Sequence, residues 1–311
     1  MLAAPRPACA DAPPKLCRVG VVGIDSSHLP EFARRLRVLQ EAGAAQVRVT
    51  HYWTDGEHDM PAQQVEQWRL RAEAEGVVAA GTLQEMLEAV DGVMVLGVSG
   101  YKHAAQALPA LERGLPTYID KPLACTLEDA QRILAAARRT RTPCYSASSL
   151  RFADEAQQVD RERLGELVAI DAFGPGELHP TMSCTFFYGV HTVEMVDTLW
   201  GPGVARARAV ARQDRQLIDL EYRDGRYAHL RLERSGAYDF GATVHGKKGV
   251  HQFRVNFTHV YDRLVERLAR FFQTGEAPVP LRDIVENIAV MEAIDRSIAR
   301  DGAWVDVPAV A

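Results

Sequence analysis

The residues with chemical capacity in this chain fall into a few short clusters. Gly23-Ile24-Asp25-Ser26-Ser27-His28 combines a turn glycine with two hydroxyls, a carboxylate and an imidazole. His51, Tyr52 and Trp53 end one β-branched run, and Ser99, Tyr101, Lys102 and His103 follow another. Asp120-Lys121-Pro122 ends a third, and Ser148, Ser149 and Arg151 follow a fourth. His179, Tyr188, His191 and Glu194 lie in the second half of the chain. Imidazoles titrate near neutral pH and suit proton transfer. A turn that opens a helix presents N–H groups and hydroxyls to phosphate. Arg151 has the chemistry to pair bidentately with a carboxylate or phosphate, and equally to form an ion pair at a domain boundary. Glu194 lies three residues after His191, on the same side of a helix. H-x-x-E, with His179 and a rim histidine, is also a weak metal pattern.

These clusters matter because of the elements that precede them. From residue 17 strand and helix alternate with short connections. Expected strands are Cys17–Val22, Gln46–Tyr52, Gly76–Ala80, Gly92–Val98, Pro116–Ile119 and Pro143–Ala147. Between them, Pro30–Leu39, Gln64–Ala74, Leu83–Val90, His103–Leu111 and Leu127–Arg138 read as helices. The continuous apolar run GVMVLGV is typical of a central parallel strand. Such alternation implies a parallel sheet covered on both faces. Ligands of an open sheet bind outside the carboxyl ends of its strands, and that is where His28, His51 and His103 fall. Each histidine alone is compatible with a structural role; convergence on one edge favours a site.

After about residue 148 the pattern changes. Strand-like segments follow one another at Leu167–Phe173, Ala205–Arg212, Leu217–Tyr222, Tyr227–Glu233, Tyr238–His245 and His251–Phe257, with a helix at Val190–Trp200. Tight turns such as Asp224-Gly225 imply an open, mainly antiparallel sheet. Helices at Val260–Gln273 and Leu281–Arg300 are expected to cover one face of it. The stripe Ile284, Ile288, Met291, Ile294 and Ile298 reads as core.

Composition narrows the class. The 311 residues suffice for two domains and carry a net charge of −5 without long charge blocks. No basic stripe points to nucleic acid and no apolar run reaches membrane-span length, so a small-molecule partner and a cytoplasmic location are the expectations. The five cysteines include no C-x-x-C pair and read as free thiols. Residues 1–16, rich in alanine and proline, read as a disordered leader rather than a secretory signal.

The segment YIDKPLA, with the preceding helix ending in ERGL, resembles the E-K-P region of the glucose–fructose oxidoreductase/inositol dehydrogenase (Gfo/Idh/MocA) family. YGVHTVEMVDTLWGPG is similar to the G-x-H helix start of the same family. The resemblance spans nearly the whole chain from residue 18. It implies a Rossmann-type first domain over residues 17–148 and an α+β substrate and oligomerisation domain over 149–311. It also implies an NAD- or NADP-dependent enzyme acting on a sugar, polyol or related hydroxy compound, assembled as a homodimer or homotetramer. In that frame Lys121 binds the reacting hydroxyl and His191 is its acid/base, with Glu194 beside it. Gly23, Asp25, Ser26, Ser27, His28, His51, Ser99, His103 and Asp120 would hold the cofactor. Ser149, Arg151, His179 and Tyr188 would grip the substrate. No resident metal is implied.

Three segments depart from the family pattern. Gly23, Asp25 and His28 stand at the three places of G-x-G-x-x-G, so a carboxylate replaces the glycine that lets backbone approach the diphosphate. His51 stands where a strand-two acid is expected, with Asp55 four residues beyond. Phe187 replaces the acid four residues before His191. These departures leave a redox-neutral lyase or epimerase, using the same Lys121/His191 pair, as the alternative reading.

Overall fold

A computed structural model of the chain describes residues 15–310. The leader expected over 1–16 therefore lies almost wholly outside the described residues. The first domain runs β1 (Cys17–Val22), α1 (His28–Glu41), β2 (Val47–Trp53), α2 (Ala62–Ala74), β3 (Val78–Ala79) and α3 (Leu83–Ala89). It continues with β4 (Gly92–Val95), α4 (His103–Glu112), β5 (Thr117–Ile119), α5 (Leu127–Thr140) and β6 (Cys144–Ser146). All neighbouring strands are parallel, in the order β3-β2-β1-β4-β5-β6. β4 is buried throughout, as a strand covered on both faces must be. Local signals set the helix starts: Thr82 and Glu85 form a reciprocal capping box at α3, and Thr126 caps α5.

A 3₁₀ turn (Ser149–Phe152) and two short helices, α6 (Asp154–Gln157) and α7 (Arg161–Leu164), lead into the second domain. There β7 (Leu167–Pro175) precedes a π-helical turn (Thr185–Gly189) that runs into α8 (Val190–Trp200). β8 (Val204–Ala211), β9 (Arg215–Tyr222), β10 (Tyr227–Glu233), β11 (Gly241–Gly246) and β12 (Gly249–Arg254) follow. α9 (Val260–Thr274), α10 (Leu281–Ile298) and β13 (Val305–Asp306) complete the described chain. The second sheet has the order β12-β11-β7-β10-β9-β8-β13, antiparallel except for the β7–β10 pair. Alternating burial along β9 and β10 gives it one covered and one open face. Among the described residues no helix is long and apolar enough to cross a membrane.

α10 packs on β8, but α9 does not cover the second sheet: it returns to the first domain and lies beside α1. Phe271 sits edge-on to Tyr145 of β6, and the Phe272 ring lies where a side chain at Gly92 of β4 would be. This return brings Tyr261 and Leu264 over the carboxyl edge of the first sheet. The strand expected over Tyr238–His245 begins only at Gly241, which leaves Tyr238 free to face the same edge.

Candidate active site

A cavity of about 390 Å³ lies between the carboxyl edge of the first sheet, the start of α8 and the start of α9. Asp120 and Lys121 reach it from the end of β5, His191 from the first turn of α8, and Ser26, Ser27 and His28 from the turn before α1.

His191 is held at one nitrogen only. Its Nδ1 lies 2.7 Å from Ser148 Oγ, and Ser148 Oγ also accepts the N–H of Leu150 at 3.1 Å. No hydrogen bond engages His191 Nε2 among the described residues, so Nε2 is the nitrogen left for a ligand. Burial pushes the His191 pKa well below the usual imidazole value, and the Lys121 charge pushes it further the same way. The ring is therefore a neutral base at neutral pH. Burial also lowers the pKa of Lys121, against the opposing pull of Asp120 and Glu194. The Lys121 ammonium stands 5.8 Å and 5.6 Å from the ring centroids of Phe187 and Tyr188.

Glu194 does not touch His191. Its Oε2 accepts the N–H of Ser148 at 2.8 Å and the Nε–H of Arg151 at 3.1 Å. Arg151 donates in turn to Asp197 at 2.6 Å. Glu194 thus fixes Ser148, and Ser148 fixes His191. Arg151, expected to grip substrate, instead donates from Nε and Nη2 to two buried carboxylates and does not line the cavity.

His28, the first residue of α1, reaches across to the end of β5. Its Nδ1 lies 2.6 Å from Asp120 Oδ2, its Nε2 lies 3.1 Å from Tyr261 Oη, and its ring stacks on Phe32. Tyr118 Oη donates to Asp120 Oδ1 at 3.2 Å. Burial alone would raise the Asp120 pKa, but the charge and hydrogen bond of His28 and the charge of Lys121 outweigh it and hold the carboxyl well below its usual range.

The other sequence candidates divide. Ser149 and Tyr188 line the cavity, and the Tyr188 hydroxyl accepts from Tyr238 Oη at 3.0 Å. His51 does not reach the rim. It pairs with Gly20 in mid-strand, because Thr50 is passed over in the β1–β2 register, and Trp53 stands opposite Val22 at the strand end. Asp55 accepts the N–H of Glu57 within its own loop. His103 is fully buried behind the edge, its two nitrogens each 2.8 Å from a carbonyl, of Pro122 and of Gly97. Ser99 is buried and stands away from the cavity, and His179 lies in an exposed loop against the Phe187 ring. His179, His191 and Glu194 do not converge on one point, and among the described residues no three His, Cys, Asp or Glu side chains gather as a metal site. The residues missed in the sequence are Tyr238, Phe240, Phe257 and Tyr261, which wall the cavity with aromatic rings. Nothing in their spacing signals this: Tyr261 arrives with the return of α9, while Tyr238 and Phe240 lie just before β11 and Phe257 just after β12.

The dinucleotide fit can be tested on these residues. Gly23 has φ +86°, and a Cβ there would sit 2.6 Å from Gly97 N, so β1 and β4 approach as closely as a glycine turn permits. The turn leads into α1, whose N-terminus faces the cavity with Ser26 and Ser27. The cavity runs on toward Met60 and Trp68, away from Lys121. These features fit a dinucleotide; Asp25 is the exception. Its carboxylate is taken up by the N–H groups of Asp59 and Val98.

Comparison with known proteins agrees with this architecture. No curated protein matches the chain. Among solved structures, myo-inositol 2-dehydrogenase from Lactobacillus plantarum aligns with a TM-score of 0.78 at 15% identity, over 94% of this chain and 100% of that one. A probable dehydrogenase from Thermotoga maritima gives 0.78 at 17% identity, covering 94% and 100%. The myo-inositol dehydrogenase of Lactobacillus casei, in complex with NAD(H) and myo-inositol, gives 0.76 at 18% identity, covering 95% and 98%. At these identities the likeness carries the fold. Residues 17–147 match the model described as the oxidoreductase family with an NAD-binding Rossmann fold. Over this domain the chain is similar to the Gfo/Idh/MocA oxidoreductase family.

Proposed function

We propose that the chain is an NAD(P)-dependent oxidoreductase acting on a sugar, a polyol or a related small hydroxy compound, with Lys121 and His191 handling the hydroxyl and its proton. The observation that carries this reading is one cavity holding both an ammonium and an imidazole that burial and that ammonium keep neutral. A bound nicotinamide supplies the hydride acceptor or donor. As the C–H bond gives up its hydride, the carbon–oxygen bond becomes a carbonyl and the O–H proton must leave. His191 Nε2 takes that proton, and in the reverse direction the imidazolium returns it. Lys121 stabilises the negative charge that develops on the oxygen. Ser148 holds the imidazole through Nδ1, and Glu194 holds Ser148. Gly23, Ser27 and the α1 N-terminus would hold the diphosphate, the Ser26 hydroxyl being donated to the Leu96 carbonyl at 2.8 Å, while Ser149 and Tyr188 would face the substrate. Thermal unfolding with NAD, NADH, NADP or NADPH tests the reading. A ligand at a thousandfold its dissociation constant stabilises by about 4 kcal/mol. A rise in the transition with one nucleotide supports the proposal and selects the cofactor; no rise with any of them counts against it.

A redox-neutral lyase or epimerase using the same pair is the second reading. The Asp25 carboxylate in the phosphate turn favours it. It requires that product form with no net change in the redox state of any bound nucleotide.

A further inference from the structure

We propose that Asp25 is an internal anion that latches the cofactor crevice shut, so that a dinucleotide enters only by displacing the Asp25 carboxylate; this rests on the oxidoreductase reading above. In an open parallel sheet the ligand crevice lies at the switch point, between the strands where the chain order reverses. Here that point falls between β1 and β4. The Asp25 side chain crosses it. From the turn after β1, its Oδ1 accepts the N–H of Val98, beyond β4, at 3.2 Å. Its Oδ2 accepts the N–H of Asp59, in the β2–α2 connection, at 2.9 Å. One carboxylate, in a residue only 3% exposed, thus ties together the loops that follow three strands. A second tie acts on the same connection. Lys102, just before α4, places its ammonium 3.3 Å from Glu57 Oε2 and 3.9 Å from Asp59 Oδ2.

An anion that accepts two loop N–H groups does there what a cofactor phosphate does at such a turn. A dinucleotide brings its own negative charge to the same crevice. Seated on the turn and the α1 N-terminus, its diphosphate meets a like charge, and its approach requires the Asp25 carboxylate to leave the N–H groups of Val98 and Asp59. A glycine at this position has neither the bulk nor the charge to compete. Binding is therefore coupled to release of the 57–59 segment, and the apparent affinity is reduced by the fraction of molecules in which the latch is open. Asp25 then determines how tightly and how fast the cofactor binds, without touching the substrate.

The test is calorimetric titration of NADH and NADPH into the full chain and into Asp25→Gly, Asp25→Asn and Lys102→Ala, with stopped-flow measurement of association. Asp25→Gly and Asp25→Asn are expected to bind at least about tenfold more tightly than the wild type. Lys102→Ala, which keeps Asp25 in place and so guards against a folding defect in the first two, is expected to shift affinity the same way by less. Wild-type association should level off at high nucleotide concentration, limited by latch opening, and stay linear in Asp25→Gly. Unchanged or weaker binding in the Asp25 variants, with a linear rate in the wild type, overturns the latch and leaves the oxidoreductase reading standing. Failure of the wild type and every variant to bind either nucleotide overturns both.

Discussion

Replacing Arg151 by methionine separates a buried structural cation from a substrate-binding one. The Arg151 side chain is 7% exposed, and its partners Glu194 and Asp197 are 2% and 7% exposed. Methionine keeps much of the volume but leaves two buried carboxylates without their shared cation; Asn287 still donates to Asp197 at 3.2 Å. Removing one member of a buried ion pair costs about 3–5 kcal/mol, most of it the uncompensated charge left behind. The loss should depend on pH. Burial already raises the Glu194 pKa against the pull of Arg151, and without Arg151 it rises further. A carboxyl whose folded pKa lies above its unfolded value gives its stability in full below the unfolded value and loses it as pH rises through the folded one. Arg151→Met should therefore be most destabilised at neutral pH and recover part of the difference as the medium is acidified toward the ordinary carboxylate range. Urea unfolding followed by tryptophan fluorescence, at several pH values, measures this. A loss below about 1 kcal/mol at neutral pH, together with a raised KM, would refute the reasoning and return Arg151 to the substrate.

Three further outcomes are expected. His191→Ala should lower kcat by about 10²–10⁴-fold while nucleotide binding by calorimetry is retained. The acid limb of kcat/KM for alcohol oxidation should lie below the ordinary imidazole range, because burial and Lys121 depress the His191 pKa; Lys121→Met should move that limb to higher pH while lowering the rate, since it removes a neighbouring positive charge. Phe272→Ala should destabilise by about 3–5 kcal/mol in thermal or urea unfolding, because this ring seats α9 against β4.

The chain of strands and helices in the first domain was legible because buried parallel strands are continuous apolar runs and their helices are amphipathic. The rim of chemical residues was legible for the same reason: it follows wherever such strands end. What periodicity does not carry is the partner of a buried face. The stripe along α9 says that Leu264, Leu268 and Phe271 are covered, and nothing in it says that the first domain covers them. The place of Tyr261 in the cavity wall was therefore invisible. Register was hidden as well. One irregularity at Thr50 decides that Trp53 rather than His51 ends β2. Arg151 and His103 show a third limit: a polar residue just after a strand reads as a rim residue whether it faces the ligand or is turned inward onto Glu194 or onto carbonyl groups.

The most direct test of the central claim is to mix the enzyme and oxidised nicotinamide with a panel of sugars and polyols and to follow reduced-nicotinamide absorbance, in the wild type and in His191→Ala. The account predicts reduced cofactor with at least one neutral hydroxy compound in the wild type, and its near loss in the variant while the nucleotide still binds. Conversion of a compound with no change in cofactor absorbance, or undiminished reduction in His191→Ala, would contradict it.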